Sequence, residues 1–374
     1  TLHGAAYTEA AQHNTLGRFL EAMEGHGFTL LFYVPVLFLG FFPWSGFLPI
    51  ALIQTFRTWR DGIAKQWHTQ GDPDRPPSWF ARRFTAPATR YTTPEELDLF
   101  AMCWIVGVFL FFTLSATRLP HYIAPLFPAC AILAASYWHR CLTDSATKGI
   151  RLSIGLVMGL GYLLGFAFVI APYFYSQFVD QIAKEFPMAA KVGLGVGPYL
   201  AGFVLLMGMG VVGYYGLSPE RRPAAFWAMG ATIALVILVA IQVILPRASR
   251  YFVSPPQELA YAAGLNLRPD DRLILYGPSR PSLVFYARHK AIVIGQGQEE
   301  AMRPWLNHPG RTMILLPERL KSHLPPEAAE YPIILQRFGY LLLANEPMIK
   351  GLPAPQAGTP PTTPPPAFHS FSSP

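Results

Sequence analysis

The chain has 374 residues, of which 52% are hydrophobic and only 14% are charged, and its mean hydropathy is +0.28. These values exclude an ordinary soluble domain and predict a polytopic membrane protein. The net charge of +7 does not indicate nucleic-acid binding, because the cations lie in loops between apolar runs and not on one basic face. We therefore expect membrane lipids as partners and no nucleic acid.

The first 27 residues are polar, and we expect them to form an interfacial segment outside the cytoplasm. The chain begins with Thr1 and shows no signal peptide, so we expect a further part upstream of it. Because a membrane-spanning helix needs about 20 apolar residues, the next part predicts a transmembrane domain of six helices over 28–246. Its apolar runs are 28–54, 97–115, 122–138, 152–173, 198–215 and 226–245.

Prolines and glycines modify these spans. Pro35, Pro43 and Pro49 are expected to kink the first run or to confine part of it to the interface. The fifth run contains small residues, Gly202, Gly208 and Gly210, which allow helices to approach closely. The three cysteines lie in or at the ends of apolar runs without metal-ligand spacing, so we interpret them as packing residues.

Loop charges predict the orientation. The loops 55–96, 139–151 and 216–225 carry most of the Lys and Arg residues that lie between the six runs, which places these loops on the cytoplasmic side. The turn around Arg118, the segment before Phe28 and everything after Pro246 are then outside the cytoplasm.

The pattern changes after the sixth run. Short apolar runs at 272–276, 291–294, 312–316, 331–336 and 340–343 predict strands, and helical stretches are expected at 257–266, 282–288 and 299–306. Strands alternating with short helices predict a small α/β domain over 247–350, outside the membrane. The tail 351–374 is rich in Pro, Thr and Ser and is expected to be disordered.

A polar break between the second and third runs carries Arg118, Pro120, His121 and Tyr122. Polar groups held between two apolar runs lie at the membrane surface or line a cavity, which suits binding of a phosphate. The segment resembles the Leu-Pro-His-Tyr-x-x-Pro-x-x-Pro signature of polyprenyl-phosphate-dependent glycosyltransferases of the aminoarabinose (lipid A-modifying) type, members of the GT-C superfamily. The segment 32–44 is similar to that family's Tyr-x-x-Pro-x-x-x-x-Gly-x-x-Pro-Trp helix, and 269–286 to the start of its periplasmic domain.

The resemblance implies a GT-C fold in the bacterial inner membrane with a periplasmic C-terminal domain. It implies an inverting transferase that moves a sugar from an undecaprenyl-phosphate-type donor to a lipid or glycolipid acceptor such as lipid A. Departing phosphate charge must be stabilised, and arginine pairs two phosphate oxygens at once. The candidate lipid-phosphate residues are Arg18, Arg118, His121, Tyr122, Arg250 and Tyr251. Each has an ordinary alternative, since interfacial Arg anchors to headgroups and interfacial Tyr belongs to the aromatic belt.

The catalytic residue stays unknown. The resemblance implies an Asp or Glu base upstream of this sequence, and Glu21 and Glu24 are more readily explained as solvated side chains. We therefore expect residues 1–374 alone to be inactive. No cofactor is predicted. The resemblance also implies that His13 could bind a divalent metal, but a solvated interfacial histidine fits better.

Two other functions stay open. A protein O-mannosyltransferase-like enzyme would differ only in its acceptor. A transporter or lipid-binding scaffold would have no catalytic role, but the sequence shows no inverted repeat.

Overall fold

The computed structural model describes residues 31–69, 93–115, 118–143, 149–277, 281–307 and 310–346, with side chains omitted at 63–69 and 93. The predicted interfacial segment and tail, with Arg18, His13, Glu21 and Glu24, lie outside these residues. The chain divides into two compact units, 1–171 with 196–240 and 172–195 with 241–374. Each is described by itself.

The first run folds back on itself. Helix α1 (Tyr33–Gly40) is followed by a 3-10 turn (Trp44–Phe47) and helix α2 (Leu48–Thr69), and the two helical parts meet at 116°. The break lies at Gly40 to Pro43, where proline removes a backbone donor and glycine lacks helix propensity. The predicted kink is confirmed at Pro43, whereas Pro35 and Pro49 lie in the first turns of α1 and α2.

The remaining helices of the chain's apolar part follow in order. They are α3 (Thr93–Leu114), α4 (Phe127–Thr143), α5 (Ile150–Gln177), α6 (Val179–Glu185), α7 (Gly197–Gly216) and α8 (Arg222–Val239). Helices α3 and α4 pack against each other as the hairpin expected from their short connection. Their shared core with α2 includes the fully buried Phe47, Leu133 and Tyr137.

Within the described residues, four helices are long and apolar enough to cross a membrane, or five if the bent pair is one span. The predicted count of six is not confirmed. The run predicted at 122–138 differs most, since its α-helix has 17 residues and is preceded by a 3-10 segment, Pro120–Leu126, that contains Pro125. Proline at 120, 125 and 128 disfavours a regular α-helix there.

Small residues bring α7 close to its neighbours. A Cβ at Gly202 would lie 2.7 Å from the Gly165 carbonyl oxygen of α5, and one at Gly208 would collide with Thr232 of α8. The prediction of close approach is therefore confirmed at these two positions. It is wrong for Gly210, where the nearest atom to an added Cβ is the Tyr162 hydroxyl at 3.7 Å.

The second unit contains a five-stranded sheet in its described part, ordered β2-β1-β3-β5-β4. The strands are β1 (Arg272–Tyr276), β2 (Ala291–Ile294), β3 (Thr312–Pro317), β4 (Ile333–Arg337) and β5 (Tyr340–Ala344). Strand β1 pairs in parallel with β2 and β3, whereas β5 is antiparallel to β3 and β4. All five runs predicted as strands are strands.

Both faces of this sheet are covered. Helix α9 (Ser254–Asn266) and helix α10 (Pro281–Ala287) pack on one face through Leu259 and Leu283. Met302 and Leu320 cover the other face. Burial on both sides explains why the central strands are nearly continuous apolar runs.

A segment from the end of α5 to Gly195 packs within the second unit. The Tyr175 hydroxyl lies 2.9 Å from the Ala189 carbonyl oxygen and 3.0 Å from that of Val192. Arg319 donates to the Lys184 carbonyl oxygen at 2.6 Å. The Tyr175 contacts close the segment on itself, and the Arg319 contact, with a 3.3 Å hydrogen bond from the Tyr340 hydroxyl to the Glu185 carbonyl oxygen, joins it to the sheet.

Candidate functional site

The polar break is a short non-helical turn. Helix α3 ends at Leu114, Leu119 is extended (φ −118°, ψ 141°), and Pro120 begins the 3-10 segment. A residue before proline is driven out of the helical region, which explains the extended Leu119. Arg118, His121 and Tyr122 therefore lie within five residues of one another, just after the end of α3.

Arg118 is buried, with 3% of its surface exposed. Its Nη2 donates a 2.8 Å hydrogen bond to the Thr113 carbonyl oxygen, one of the last four carbonyls of α3 that have no partner inside the helix. A guanidinium here also suits the negative end of the helix dipole. This burial differs from that of a snorkelling side chain, which keeps its charged end in water.

Tyr122 and His121 differ in burial. Tyr122 is half-buried, and its ring packs 5.5 Å from that of Phe112 and 4.9 Å from the His121 ring. His121 is exposed. Tyr122 is thus held against the end of α3, whereas the His121 ring lies on the surface.

Two further polar residues, Tyr33 and Thr113, belong to this site and were missed by residue-level reasoning. The Tyr33 side chain is fully buried, and its hydroxyl lies near the Leu119 backbone and close to Arg118 and Tyr122. The Thr113 hydroxyl is also buried, and no residue in the described part of the chain hydrogen-bonds to it. Tyr33 lies in the segment that carried part of the family resemblance, which was the available signal.

Arg250 and Tyr251 lie in the second unit, in a π-helical turn over Ser249–Val253. Arg247 and Arg250 are both exposed and place their guanidinium carbons 5.7 and 5.6 Å from the centre of the Tyr251 ring. Arg247 also donates to the Gly193 carbonyl oxygen at 3.0 Å. Tyr251 therefore carries a cluster of two cations, which suits an anionic surface or ligand.

The metal hypothesis finds no donor set in the described residues, where no group of three His, Cys, Asp or Glu side chains is close enough to hold an ion. His13 lies outside those residues. We derive no step through a metal.

The polar loop after β1 includes Ser279 and Arg280, which lie outside the described residues. Beside it, the Tyr276 hydroxyl donates to Glu299. Burial, followed by this carboxylate, raises the pKa of Tyr276. The same hydrogen bond, with one from the Gly297 amide, lowers the pKa of Glu299. The pair fastens the loop after β2 to the sheet.

Comparisons with known proteins agree with the family resemblance found in the sequence. No family model matches the chain. The chain is 27% identical over 230 residues to the undecaprenyl phosphate-alpha-4-amino-4-deoxy-L-arabinose arabinosyl transferase of Yersinia pestis, covering 62% of this chain and 33% of the relative. The enzyme of the same name from Edwardsiella ictaluri is 27% identical over 232 residues, with 62% and 34% coverage. The chain thus spans about a third of the length of the curated relatives it matches.

Solved structures give the same result for the fold. The crystal structure of ArnT from Cupriavidus metallidurans bound to undecaprenyl phosphate superposes with a TM-score of 0.51 at 19% identity, covering 89% of this chain and 55% of that one. The apo structure of the same enzyme gives 0.51 at 17% identity, with 91% and 57% coverage. The predicted resemblance to the aminoarabinose transferases is confirmed by both comparisons.

Proposed function

We propose that the protein is a GT-C glycosyltransferase that takes a sugar from an undecaprenyl-phosphate-type donor, with Arg118 binding the lipid phosphate. The observation that carries this proposal is the burial of Arg118 at the turn between α3 and α4. A buried guanidinium at the edge of an apolar bundle is costly, and ionisable groups in such places mark ligand sites. The similarity to undecaprenyl-phosphate-dependent transferases supports the choice of ligand.

In the proposed reaction the bond between the sugar carbon and the phosphate oxygen breaks, and negative charge grows on the departing lipid phosphate. Arg118 pairs with two phosphate oxygens and is held in place beforehand by its hydrogen bond to the Thr113 carbonyl. The Tyr122 hydroxyl donates a hydrogen bond to the same phosphate, and His121 orients that phosphate. Arg18, Arg250 and Tyr251 stay proposed as further lipid-phosphate ligands.

The acceptor is proposed to be a lipid such as lipid A, whose hydroxyl attacks the sugar carbon with inversion. A carboxylate must remove the hydroxyl proton. The segment 112–129 contains no Asp or Glu. We therefore place the base in another part of the full-length protein.

We also propose six membrane crossings, with the 3-10 segment and α4 together forming the third. The residues after Pro246 then form a periplasmic α/β domain over 247–350, and 1–27 lies on the same side. A protein with Cys103 replaced by Ser allows a test with cysteine introduced at Ser322 or at Glu220, both exposed. An impermeant thiol reagent added to spheroplasts should label the cysteine at 322 only. Labelling of the cysteine at 220 only would show that the orientation is opposite to the proposed one.

Turnover of the full-length protein with undecaprenyl-phosphate aminoarabinose and lipid A tests the function. Arg118→Ala should lower kcat/KM about 30- to 1000-fold, since losing a charged contact to the leaving group costs about 2–4 kcal/mol of transition-state stabilisation. Arg118→Lys should recover only part, because an ammonium does not make the bidentate pair but still caps α3. Tyr122→Phe keeps the packing on Phe112 and should lower kcat/KM about tenfold.

The control is Arg151→Ala, an exposed cation in the first turn of α5. It should leave kcat/KM unchanged. If a folded Arg118→Ala protein has the wild-type kcat/KM, Arg118 caps the end of α3 and does not bind the lipid phosphate. Wild-type protein that transfers to a Ser/Thr peptide instead of lipid A would favour the protein mannosyltransferase-like alternative.

A further inference from the structure

A second polar cavity lies at the opposite end of α3 from the Arg118 turn. It has a volume of about 310 Å³, and the lining residues in the described part of the chain are all polar or charged: Gln54, Thr55, Arg57, Thr58, Glu95, Asp98 and Arg140. Sixteen residues of helix separate Asp98 from Leu114, which corresponds to roughly 24 Å. The cavity is therefore separate from the proposed lipid-phosphate site.

The cavity contains a carboxylate oxygen that lacks a partner. Asp98 is 4% exposed, and its Oδ2 accepts a 2.6 Å hydrogen bond from Arg140 Nη1, which also contacts the Ser136 hydroxyl at 2.8 Å. The other oxygen, Asp98 Oδ1, is buried and has no hydrogen-bond partner among the described residues. A buried charged acceptor that loses its hydration without gaining a hydrogen bond is destabilising, so a ligand that donates a hydrogen bond there is favoured.

A second acceptor lies in the same cavity. The Thr55 hydroxyl is 3% exposed and likewise has no hydrogen-bond partner in the described part of the chain. Arg57, which also lines the cavity, presents an exposed cation to it. The cavity thus offers acceptors for a cation on its floor and a guanidinium for an anion at its rim.

We infer that this cavity binds the headgroup of a phospholipid carrying a primary ammonium, a phosphatidylethanolamine. The ammonium donates to Asp98 Oδ1 and the Thr55 hydroxyl, and the phosphate pairs with Arg57. A zwitterion matches the mixed charges, whereas a purely anionic headgroup brings no cation to the Asp98 carboxylate. The volume lies at the small end of ligand sites and fits a headgroup whose acyl chains stay outside.

The position of the cavity favours a lipid over a soluble zwitterion. Glu95 and Asp98 lie in the first turns of the candidate span Pro94–Leu114, so the cavity opens at the end of a membrane-spanning helix. Ile53, Phe56 and Phe100 are 46%, 49% and 58% exposed beside it. Apolar side chains exposed at this level are suited to acyl chains.

Native mass spectrometry of the purified protein with added dioctanoyl lipids tests the inference. Phosphatidylethanolamine should bind about tenfold more tightly than phosphatidylcholine, whose quaternary ammonium has no N–H to donate, and than phosphatidylglycerol, which has no cation. Equal binding of the three lipids would overturn the inference and leave the cavity to water. Soluble glycerophosphoethanolamine should bind far more weakly, and equal affinity for it would overturn the assignment to a lipid.

Substitutions separate the two ends of the headgroup. Arg57→Gln should weaken binding of phosphatidylethanolamine and phosphatidylglycerol alike, whereas Thr55→Val should narrow only the preference for ethanolamine over choline. Asp98→Asn should abolish that preference. Asp98→Asn also breaks the ion pair with Arg140. If the Asp98→Asn protein does not fold, Thr55→Val still tests the contact with the ammonium.

The matched control is Arg60→Gln, on the same helix. Arg60 is exposed, pairs with Asp61 at 3.0 Å and does not line the cavity. Its replacement should change no lipid affinity. An unchanged ethanolamine preference in folded Thr55→Val and Asp98→Asn proteins would overturn the inference.

Discussion

Replacing Tyr175 by Phe should loosen the segment that holds Arg247 beside Tyr251. The Tyr175 hydroxyl lies within hydrogen-bond distance of the Ala189 and Val192 carbonyl oxygens, and it has one proton to donate to them. Phenylalanine fills the same space, so the change removes this hydrogen bond and little packing. Gly193, whose carbonyl accepts from Arg247, follows directly after Val192.

The magnitude follows from one neutral hydrogen bond in a half-buried place. Its net contribution is about 1 kcal/mol, which corresponds to about fivefold faster opening of the segment. Amide hydrogen exchange measures this directly at Ala189 and Val192, whose N–H groups donate to the Phe186 and Met188 carbonyls. Exchange in the central strands, such as at Leu315, should stay unchanged.

Tyr173→Phe is the matched control, since Tyr173 lies two residues earlier on the same helix and is 65% exposed. It should leave exchange at Ala189 and Val192 at the wild-type rate. If Tyr175→Phe also leaves both amides at the wild-type rate, the Tyr175 hydroxyl does not hold the segment and the reasoning is refuted.

Two other predictions concern packing and pH. Gly208→Ala should lower the thermal midpoint and destabilise the protein by about 1–3 kcal/mol, because the new Cβ collides with Thr232. Gly230→Ala is the control and should leave the midpoint unchanged, because its Cβ meets no atom within 4 Å. Equal midpoints for the two variants would contradict this packing. The pKa of Glu299 is lowered in the folded protein, so its hydrogen bond with Tyr276 stabilises the fold. This stabilisation is fully present at a pH above the ordinary glutamate pKa of about 4.3. It is lost as the pH falls through the pKa of Glu299 in the folded protein. Glu299→Gln should therefore lower the thermal midpoint at pH 7 and make less difference at pH 3.5, and a pH-independent difference would refute the assignment.

The sheet could be predicted from sequence because its strands are short apolar runs bounded by turn residues. Arg272–Tyr276 follows Pro269 and Asp270 and precedes Gly277, which adopts a φ of +92°. The pairing order was out of reach, since β5 inserts between β3 and β4 through contacts that no local pattern encodes. Local propensity specifies the strands, and long-range packing orders them.

The polar turn was also visible in the sequence, because an arginine between two apolar runs needs an explanation. Its surroundings were not. Tyr33 approaches Arg118 because the first run folds back at 116°, and neither the angle nor the contact follows from periodicity. Likewise, the ion pair of Asp98 with Arg140 joins residues 42 positions apart. Charges that meet across helices require the packed structure.

Equilibrium binding of undecaprenyl phosphate to the full-length protein tests the central claim most directly, with the neutral alcohol undecaprenol as the reference ligand. The wild type and Arg151→Ala should bind the phosphate at least about tenfold more tightly than the alcohol, because Arg118 makes a charge-assisted contact with it. Arg118→Ala should lose most of this preference, and Arg118→Lys should restore part of it. A folded Arg118→Ala protein that keeps the full preference for the phosphate would contradict the account.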